Sequence, residues 1–442
     1  MPTTTSPDGR SFLSRLAPPV EAREIRAVTA AGFLFFFMWF GYFAVRPVRE
    51  TVALNFIGRE NVADLWIYTA LFSILVIPAY GAIVAHFRRS VFVPAIYGAV
   101  AVLFAVVGLA LQTGGMTSLL GKIFYVFISV MNLMLLSMFW SFLLELFDKG
   151  QTKRLFGTIA VGGSAGAFLG PFFSEFAVAS IGVSGLLYVG AAMFVVAIAC
   201  QRVLLRSWSG RQVSSTPAVD RPVGGNIFAG VSIIARSPYL IGIALFIVGI
   251  SAVSTLLYFE QLRIVEVTFA DETAQTQAFS RIDWIVQGST MLLQFFLTGR
   301  IAKRFGVTAL VTAVPVIMIA GFLTLAAASS FAVFAIVIVV RRVGEYAFVR
   351  PGREMLWSPL DNETKYKAKN TVDVPVYRGA DAVIAQAQDA IGQAGVPAAG
   401  LMMIGAGVTA VWGLIGWWLG RRFESGTAAA PQRKAAVAEQ PS

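Results

Sequence analysis

The motif Arg-Pro-x-Arg-Glu occurs twice, as Arg46-Pro47-Val48-Arg49-Glu50 and as Arg350-Pro351-Gly352-Arg353-Glu354, each time at the C-terminal end of a long apolar run. A guanidinium donates two hydrogen bonds in one plane, the geometry that phosphate and carboxylate accept. An arginine at the centre of a spanning helix costs about 2.5–3.5 kcal/mol on insertion scales, so apolar segments keep such groups where a polar path crosses the bilayer. Arg341 and Arg342 lie inside the run that begins at Phe331, about 15 Å deep at 1.5 Å per helical residue. Glu345 follows Arg341 by four and shares its helical face. Arg378 and Asp381 form a similar couple in the next run. Together these positions give seven arginines (46, 49, 341, 342, 350, 353, 378) against four acids (50, 345, 354, 381). That surplus of three positive charges points to an anionic ligand. The candidate substrate-binding residues are therefore Arg46, Arg49, Arg341, Arg342, Glu345, Arg350, Arg378 and Asp381.

The elements that must position these groups are membrane spans. Of 442 residues, 57% are hydrophobic and only 13% charged, and mean hydropathy is +0.73; a soluble domain is about 25% charged. Apolar runs predict twelve helices, at 28–50, 63–86, 91–112, 120–147, 157–179, 183–205, 236–259, 279–299, 307–328, 331–354, 372–394 and 398–420. A polar linker, 206–226, divides them six and six. The expected units are an N-terminal tail (1–27), a six-helix half (28–205), the linker, a second half (227–422) opening on a short amphipathic helix (227–236), and a disordered tail (423–442).

Lys and Arg fall in alternate loops, for example Arg23 and Arg26 before the first span, Lys153 and Arg154 after the fourth, and Lys303 and Arg304 after the eighth. The positive-inside rule then puts both termini in the cytoplasm, in a bacterial inner membrane, and explains the net charge of +11 without nucleic acid. His86 is the only histidine and Cys200 the only cysteine, so neither a metal site nor a cofactor is expected. Met131, Met134 and Met138 read as packing. No nucleophile–base set or phosphate loop of the Walker type is present, which argues against an enzyme.

Six plus six spans, with Gly81/Phe87 and Gly299/Phe305 in matching basic loops, resemble the layout of the major facilitator superfamily. Gly157, Gly166, Gly170 and Pro171 have the spacing of a motif that antiporters of that superfamily carry on the fifth span; a close helix crossing is an equal reading. In that layout spans one, four, seven and ten line the cavity. Each ends in charge, which makes Glu50, Glu260, Arg263, Glu145, Asp148, Lys153, Arg154, Arg353 and Glu354 candidate gate residues. Glu145 and Asp148 are expected to meet Arg350 or Arg353 at the cytoplasmic mouth. Arg46, Arg49 and Glu50 are expected to face Glu260 and Arg263 at the other. Trp140 and Tyr346 are placed to stack on a planar base, with packing favoured.

Two segments resemble the nucleotide transporter (ATP:ADP antiporter) family and its bacterial relatives. One is 145–171, ELFDKGQTKRLFGTIAVGGSAGAFLGP. The other is 341–381, through RRVGEYAFVRPGRE, Lys365 to Asn370, and Val376-Tyr377-Arg378-Gly379-Ala380-Asp381. The span-one stretch from Tyr42 to Glu50 fits as well. The resemblance implies an all-α carrier of twelve transmembrane helices in two halves, moving a phosphorylated or other anionic organic solute by alternating access, with nucleotide exchange the first candidate. A proton-coupled carrier of another organic anion, a cell-wall sugar-peptide or a drug is the alternative, with Glu145, Glu345 or Asp381 as proton carrier. A membrane scaffold or sensor ranks below both. A monomer is compatible with either transport reading.

Overall fold

The computed structural model describes residues 20–86, 89–208 and 227–427. The side chains at 77–89, which carry the first loop motif from Gly81 to Arg89, lie outside the described residues. So do Arg211 and Arg221 of the linker and most of both tails. The described chain is helical throughout, in twelve membrane-length helices: α1 (Ile25–Ile57), α2 (Val62–His86), α3 (Arg89–Gln112), α4 (Ser118–Leu146), α5 (149–181), α6 (183–208), α7 (Pro238–Thr268), α8 (272–305), α9 (307–327), α10 (331–356), α11 (362–393) and α12 (Ala398–Glu424). The short helix Ile227–Ala235 packs beside the start of α11. It is a multi-pass membrane protein, and an even number of helices places the start of α1 and the end of α12 on one face, called here the terminal face.

Local chemistry sets the ends of these helices. Side-chain oxygens of Thr117, Ser237, Asp271, Ser330 and Asp361 accept from backbone N–H groups at the starts of α4, α7, α8, α10 and α11, satisfying donors that an apolar slab leaves without water. Gly182 (φ 71°) and Gly306 (φ 75°) turn the chain between α5 and α6 and between α8 and α9. Such positive φ suits a residue without Cβ.

Several helices outrun their predicted spans. Helix α1 reaches Ile57 instead of stopping at Glu50, because Thr51 to Ile57 offers no breaker before Gly58. Helix α8 starts at Glu272 instead of 279, because the polar stretch before it is capped by Asp271 and buried against α1. Both extensions matter. They move the Arg46–Glu50 cluster from a helix end to a helix interior, and bring Asp283 to the same depth.

Two apolar cores form, one in each half; that of the first half, with Met131 and Met138 in it, also takes in Leu262, Val265, Ala278 and Phe279 from α7 and α8. Within the first half, α5 lies directly on the backbone of α1. A Cβ at Gly162, Gly166 or Gly170 would come within 2.2, 2.4 and 2.7 Å of the carbonyl oxygens of Gly32, Phe36 and Phe40. A Cβ at Gly157 would meet nothing within 4 Å. The glycine row thus works as a close helix crossing, and it fixes the height and rotation of α1.

Candidate functional site

A cavity between the halves is walled by α1, α2, α4, α7, α8, α10 and α11. Its centre is a carboxylate held by two guanidiniums. Arg46 of α1 donates to one oxygen of Asp283 at 2.6 Å, and Arg342 of α10 donates to the other at 2.6 Å. Asp283 and Arg342 are almost fully buried. The trio carries one unbalanced positive charge and joins the two halves.

The remaining arginines are matched one to one. Arg49 bonds Glu50 and donates to the Ser129 hydroxyl at 2.9 Å, with its guanidinium 5.0 Å from the Tyr125 ring centre. Arg341 bonds Glu345 and the Ser254 hydroxyl. Arg378 lies 3.6 Å from Asp381, which also receives the Ser251 hydroxyl. Among the lining residues, Arg46, Arg49, Arg341, Arg342 and Arg378 face Glu50, Asp283 and Asp381, five cations against three anions.

Two of the expected binding residues stand apart from the cavity lining. Glu345 sits behind Arg341. Arg350, with a half-exposed side chain, bonds Glu345 at 3.2 Å and stacks over Tyr346 at 4.4 Å, toward the terminal face.

The gate residues arrange themselves differently from expectation. Arg46 and Glu50 do not face Glu260 and Arg263: those two pair with each other at 2.5 Å, and Arg263 also donates to Ser329. Glu50 instead accepts from Tyr258 of α7 at 2.6 Å, inside the cavity. The longer α1 and α7 place these clusters at different depths. Asp148 caps α5, accepting from the backbone N–H of Gly150 and Gln151. Arg154 bonds Glu24 at 2.6 Å in its own half. Arg353 bonds Glu354 and lies 3.8 Å from Asp373, while Lys369 also bonds Glu354. Glu145 and Lys153 are exposed. On the terminal face, then, Arg154 pairs within the first half, and Arg353, Glu354 and Lys369 within the second.

Opposite that face the halves are clasped. Thr51 meets Thr276 at 2.7 Å, Asn55 donates to Gln275 at 2.7 Å, Arg59 to Glu266 at 2.8 Å, and Gln386 to Asp64 at 3.1 Å. The Tyr125 and Tyr258 hydroxyls meet at 2.7 Å. Arg281 and Trp284 of α8 both donate to Glu175 of α5. At a net 0.5–1.5 kcal/mol per hydrogen bond, a clasp of this kind is worth a few kcal/mol, the scale on which two conformations can exchange.

Sequence reasoning passed over Asp283, Glu175 and Arg281. The signal was available, since all three are charges inside apolar or amphipathic runs. Ser129, Tyr125, Ser254, Tyr258 and Thr69 carry no such signal, as hydroxyl residues are common in spans. Trp140 packs in an aromatic group with Phe35, Phe139 and Phe156, not on the cavity wall.

No protein-family model and no curated protein matches the sequence. Solved structures do. A bacterial homolog of the human lysosomal transporter Spinster, inward-facing and unoccupied, aligns over 92% of this chain and 99% of its own at 12% identity and TM-score 0.61. A bacterial homologue of the iron transporter ferroportin, inward-facing, aligns over 91% and 100% at 14% identity and TM-score 0.63. The chain has the major-facilitator fold. The nucleoside transporter NupG shares it as well, at 14% identity and TM-score 0.59 over 90% of this chain and 99% of that one.

Proposed function

We propose that this chain is a secondary transporter that moves a small organic anion, phosphorylated or carboxylated, by alternating access. The observation that carries this reading is Asp283 between Arg46 and Arg342. A scaffold gains nothing from a buried and a partly buried guanidinium sharing one carboxylate, because desolvating charges costs several kcal/mol each. A carrier does gain. An incoming phosphate or carboxylate takes the two forks in place of Asp283, and losing the Arg46–Asp283 link loosens the joint between the halves. Binding and conformational change are then one event.

Nucleotide is the first substrate to test, on the resemblance of 341–381 and on the surplus of arginine. The free space of about 200 Å³ is below the 300–1,000 Å³ typical of sites for drug-sized ligands, so a nucleotide requires Arg49 or Arg378 to swing aside. The exchange reading rests on the family resemblance, since the glycine row of α5 is accounted for by packing. The inner membrane, cytoplasmic termini and a boundary of halves within 206–226 belong to the same proposal, supported by the distribution of Lys and Arg.

The test is ligand-dependent thermal stabilisation of the purified protein with ATP, ADP, AMP, inorganic phosphate and a set of carboxylates. At least one of these anions raises Tm, and Arg46→Ala and Arg342→Ala abolish the rise. A flat response to every anion, or wild-type binding by both variants, rejects the reading.

A further inference from the structure

We propose that the end of α12 is a binding site for the phosphate of an anionic membrane lipid, held by Arg421 and Arg422 beside the indole rings of Trp417 and Trp418. The site lies apart from the cavity between the halves and does not depend on the transport reading.

Helix α12 has two unlike faces. On one, Gly416 and Gly420 touch α9: a Cβ there would come within 2.8 Å of the Val311 carbonyl oxygen and 2.5 Å of the Thr308 Cα. On the other, Met403, Val411, Leu414 and Trp417 stay exposed, and Arg421 continues the same helical stripe. Trp417 stands 19 residues beyond Ala398, where the helix begins, or about 29 Å at 1.5 Å per residue. That is the thickness of the hydrocarbon layer. The two tryptophans therefore mark its edge, where indoles are favoured, and the arginines reach the headgroup layer one turn further on.

The protein itself makes little use of either guanidinium. Arg421 stacks on Trp417 at 5.9 Å and Arg422 on Trp418 at 4.5 Å. Neither forms an ion pair or donates a hydrogen bond among the described residues. The neighbouring acid, Glu424, is engaged elsewhere: its oxygens accept from the Thr308 backbone N–H at 3.0 Å and from the Thr308 hydroxyl at 2.8 Å. The end of the helix does not depend on the arginines either. Ser425 and Gly426 donate from their backbones to the carbonyls of Arg421 and Phe423, and the Ser425 hydroxyl donates to that of Arg422. Trp418 is set against Gly242 of α7, where a Cβ would come within 2.5 Å of its ring, so the surface beneath Arg422 is fixed.

These side chains border an open groove with about 510 Å³ of free space. Glu424 also joins α12 to the turn between α8 and α9, which presents Arg300, Lys303 and Arg304, all exposed. Two adjacent guanidinium forks suit the oxygens of a phosphate. The apolar stripe below them suits an acyl chain, and the basic turn beside them suits a negatively charged headgroup. A free phosphate would use only the first of these three features, and a lipid uses all of them.

The test is thermal unfolding of the delipidated full chain in detergent, with dioleoylphosphatidylglycerol or dioleoylphosphatidylcholine added in mixed micelles and inorganic phosphate as a separate probe. Phosphatidylglycerol raises Tm saturably, and phosphatidylcholine does so far less. Arg421→Gln/Arg422→Gln keeps the lipid-free Tm of wild type and needs about thirtyfold more phosphatidylglycerol for half the rise. Arg421→Lys/Arg422→Lys keeps part of the response, which separates a lost cation from a disturbed helix. Arg26→Gln/Arg202→Gln, which removes equal charge from the terminal face of the first half, responds as wild type, and so does Arg46→Ala. Native mass spectrometry shows the phosphatidylglycerol adduct on a single chain. A wild-type lipid response in Arg421→Gln/Arg422→Gln, an equal loss in Arg26→Gln/Arg202→Gln, or equal stabilisation by phosphatidylcholine would overturn the proposal. Stabilisation by inorganic phosphate that survives Arg46→Ala and disappears in Arg421→Gln/Arg422→Gln would make this a free-phosphate site. A rise in Tm that comes with dimer formation would make it an interface between copies. Either result rejects the lipid.

Discussion

The two Arg-Pro-x-Arg-Glu copies have the same chemistry and opposite fates. In the first, the side chains of Arg46, Arg49 and Glu50 are 22%, 12% and 9% exposed, and Arg46 reaches across the halves. In the second, Arg350 is 53% and Glu354 45% exposed, and their partners are near in sequence. Helix length makes the difference. After Glu50 the helix runs on through Ile57, whereas after Glu354 it ends at Leu356.

Each proline has a hydroxyl of a neighbouring helix close by. Pro351 cannot donate to the Ala347 carbonyl, and Thr298 of α8 donates to it at 2.9 Å. Near Pro47, Ser174 of α5 donates to the Ala44 carbonyl at 2.8 Å. At Pro351 the hydroxyl thus meets the carbonyl that the proline leaves free, whereas near Pro47 it meets the carbonyl next to that of Phe43. The motif specifies a proline with charges around it, and its depth in the bundle decides whether those charges line a cavity or a rim.

Substitutions at the two copies should separate these roles. The largest effect is expected from Asp283→Ala, which strands Arg46 and Arg342 without their shared partner. Breaking a buried charge pair by removing one member costs about 3–5 kcal/mol, read as a large fall in Tm; an unchanged Tm would remove Asp283 from the centre of the site. Gly166→Leu comes next. It forces α5 off the backbone of α1 and costs roughly 1–3 kcal/mol by overpacking, and it should weaken anion-dependent stabilisation through displaced Arg46. If Tm falls and anion binding stays at wild-type strength, α1 is not positioned by this crossing.

Smaller effects belong to the second copy. Thr298→Ala leaves the Ala347 carbonyl without its hydroxyl donor, an expected loss of about 1 kcal/mol, seen as a modest drop in Tm. Arg350→Ala removes a half-exposed pair, for which the expected stability change is about 0–1 kcal/mol. Its anion-dependent shift should stay near wild type. A loss of binding as large as that of Arg46→Ala would place the second copy in the site after all.

Much of this was open to reading in the residues alone. Twelve apolar runs gave twelve helices, and the depth of Arg341 and Arg342 marked them as cavity groups. The helix boundaries were less legible where polar residues continue a helix, as in α8, because hydropathy detects lipid contact and not hydrogen bonding. The partner of Arg46 lies 237 positions away. Local periodicity relates residues three or four apart, so it proposed Arg341–Glu345 and Arg378–Asp381, and both neighbours are found. The expected layout of cavity helices offered Glu260 and Arg263 for the first copy, and these satisfy each other.

The sequence by itself determined that this chain crosses a membrane many times in two halves and buries arginine where burial is expensive. Those facts follow from transfer energies, which each residue carries wherever it sits. Only the tertiary structure decided which carboxylate each arginine meets, which copy of the motif faces the cavity, and which face of the bundle is clasped. Charge pairing depends on distance and on the local dielectric, and both are set by how helices far apart in sequence are stacked, down to three glycines that let α5 touch the backbone of α1.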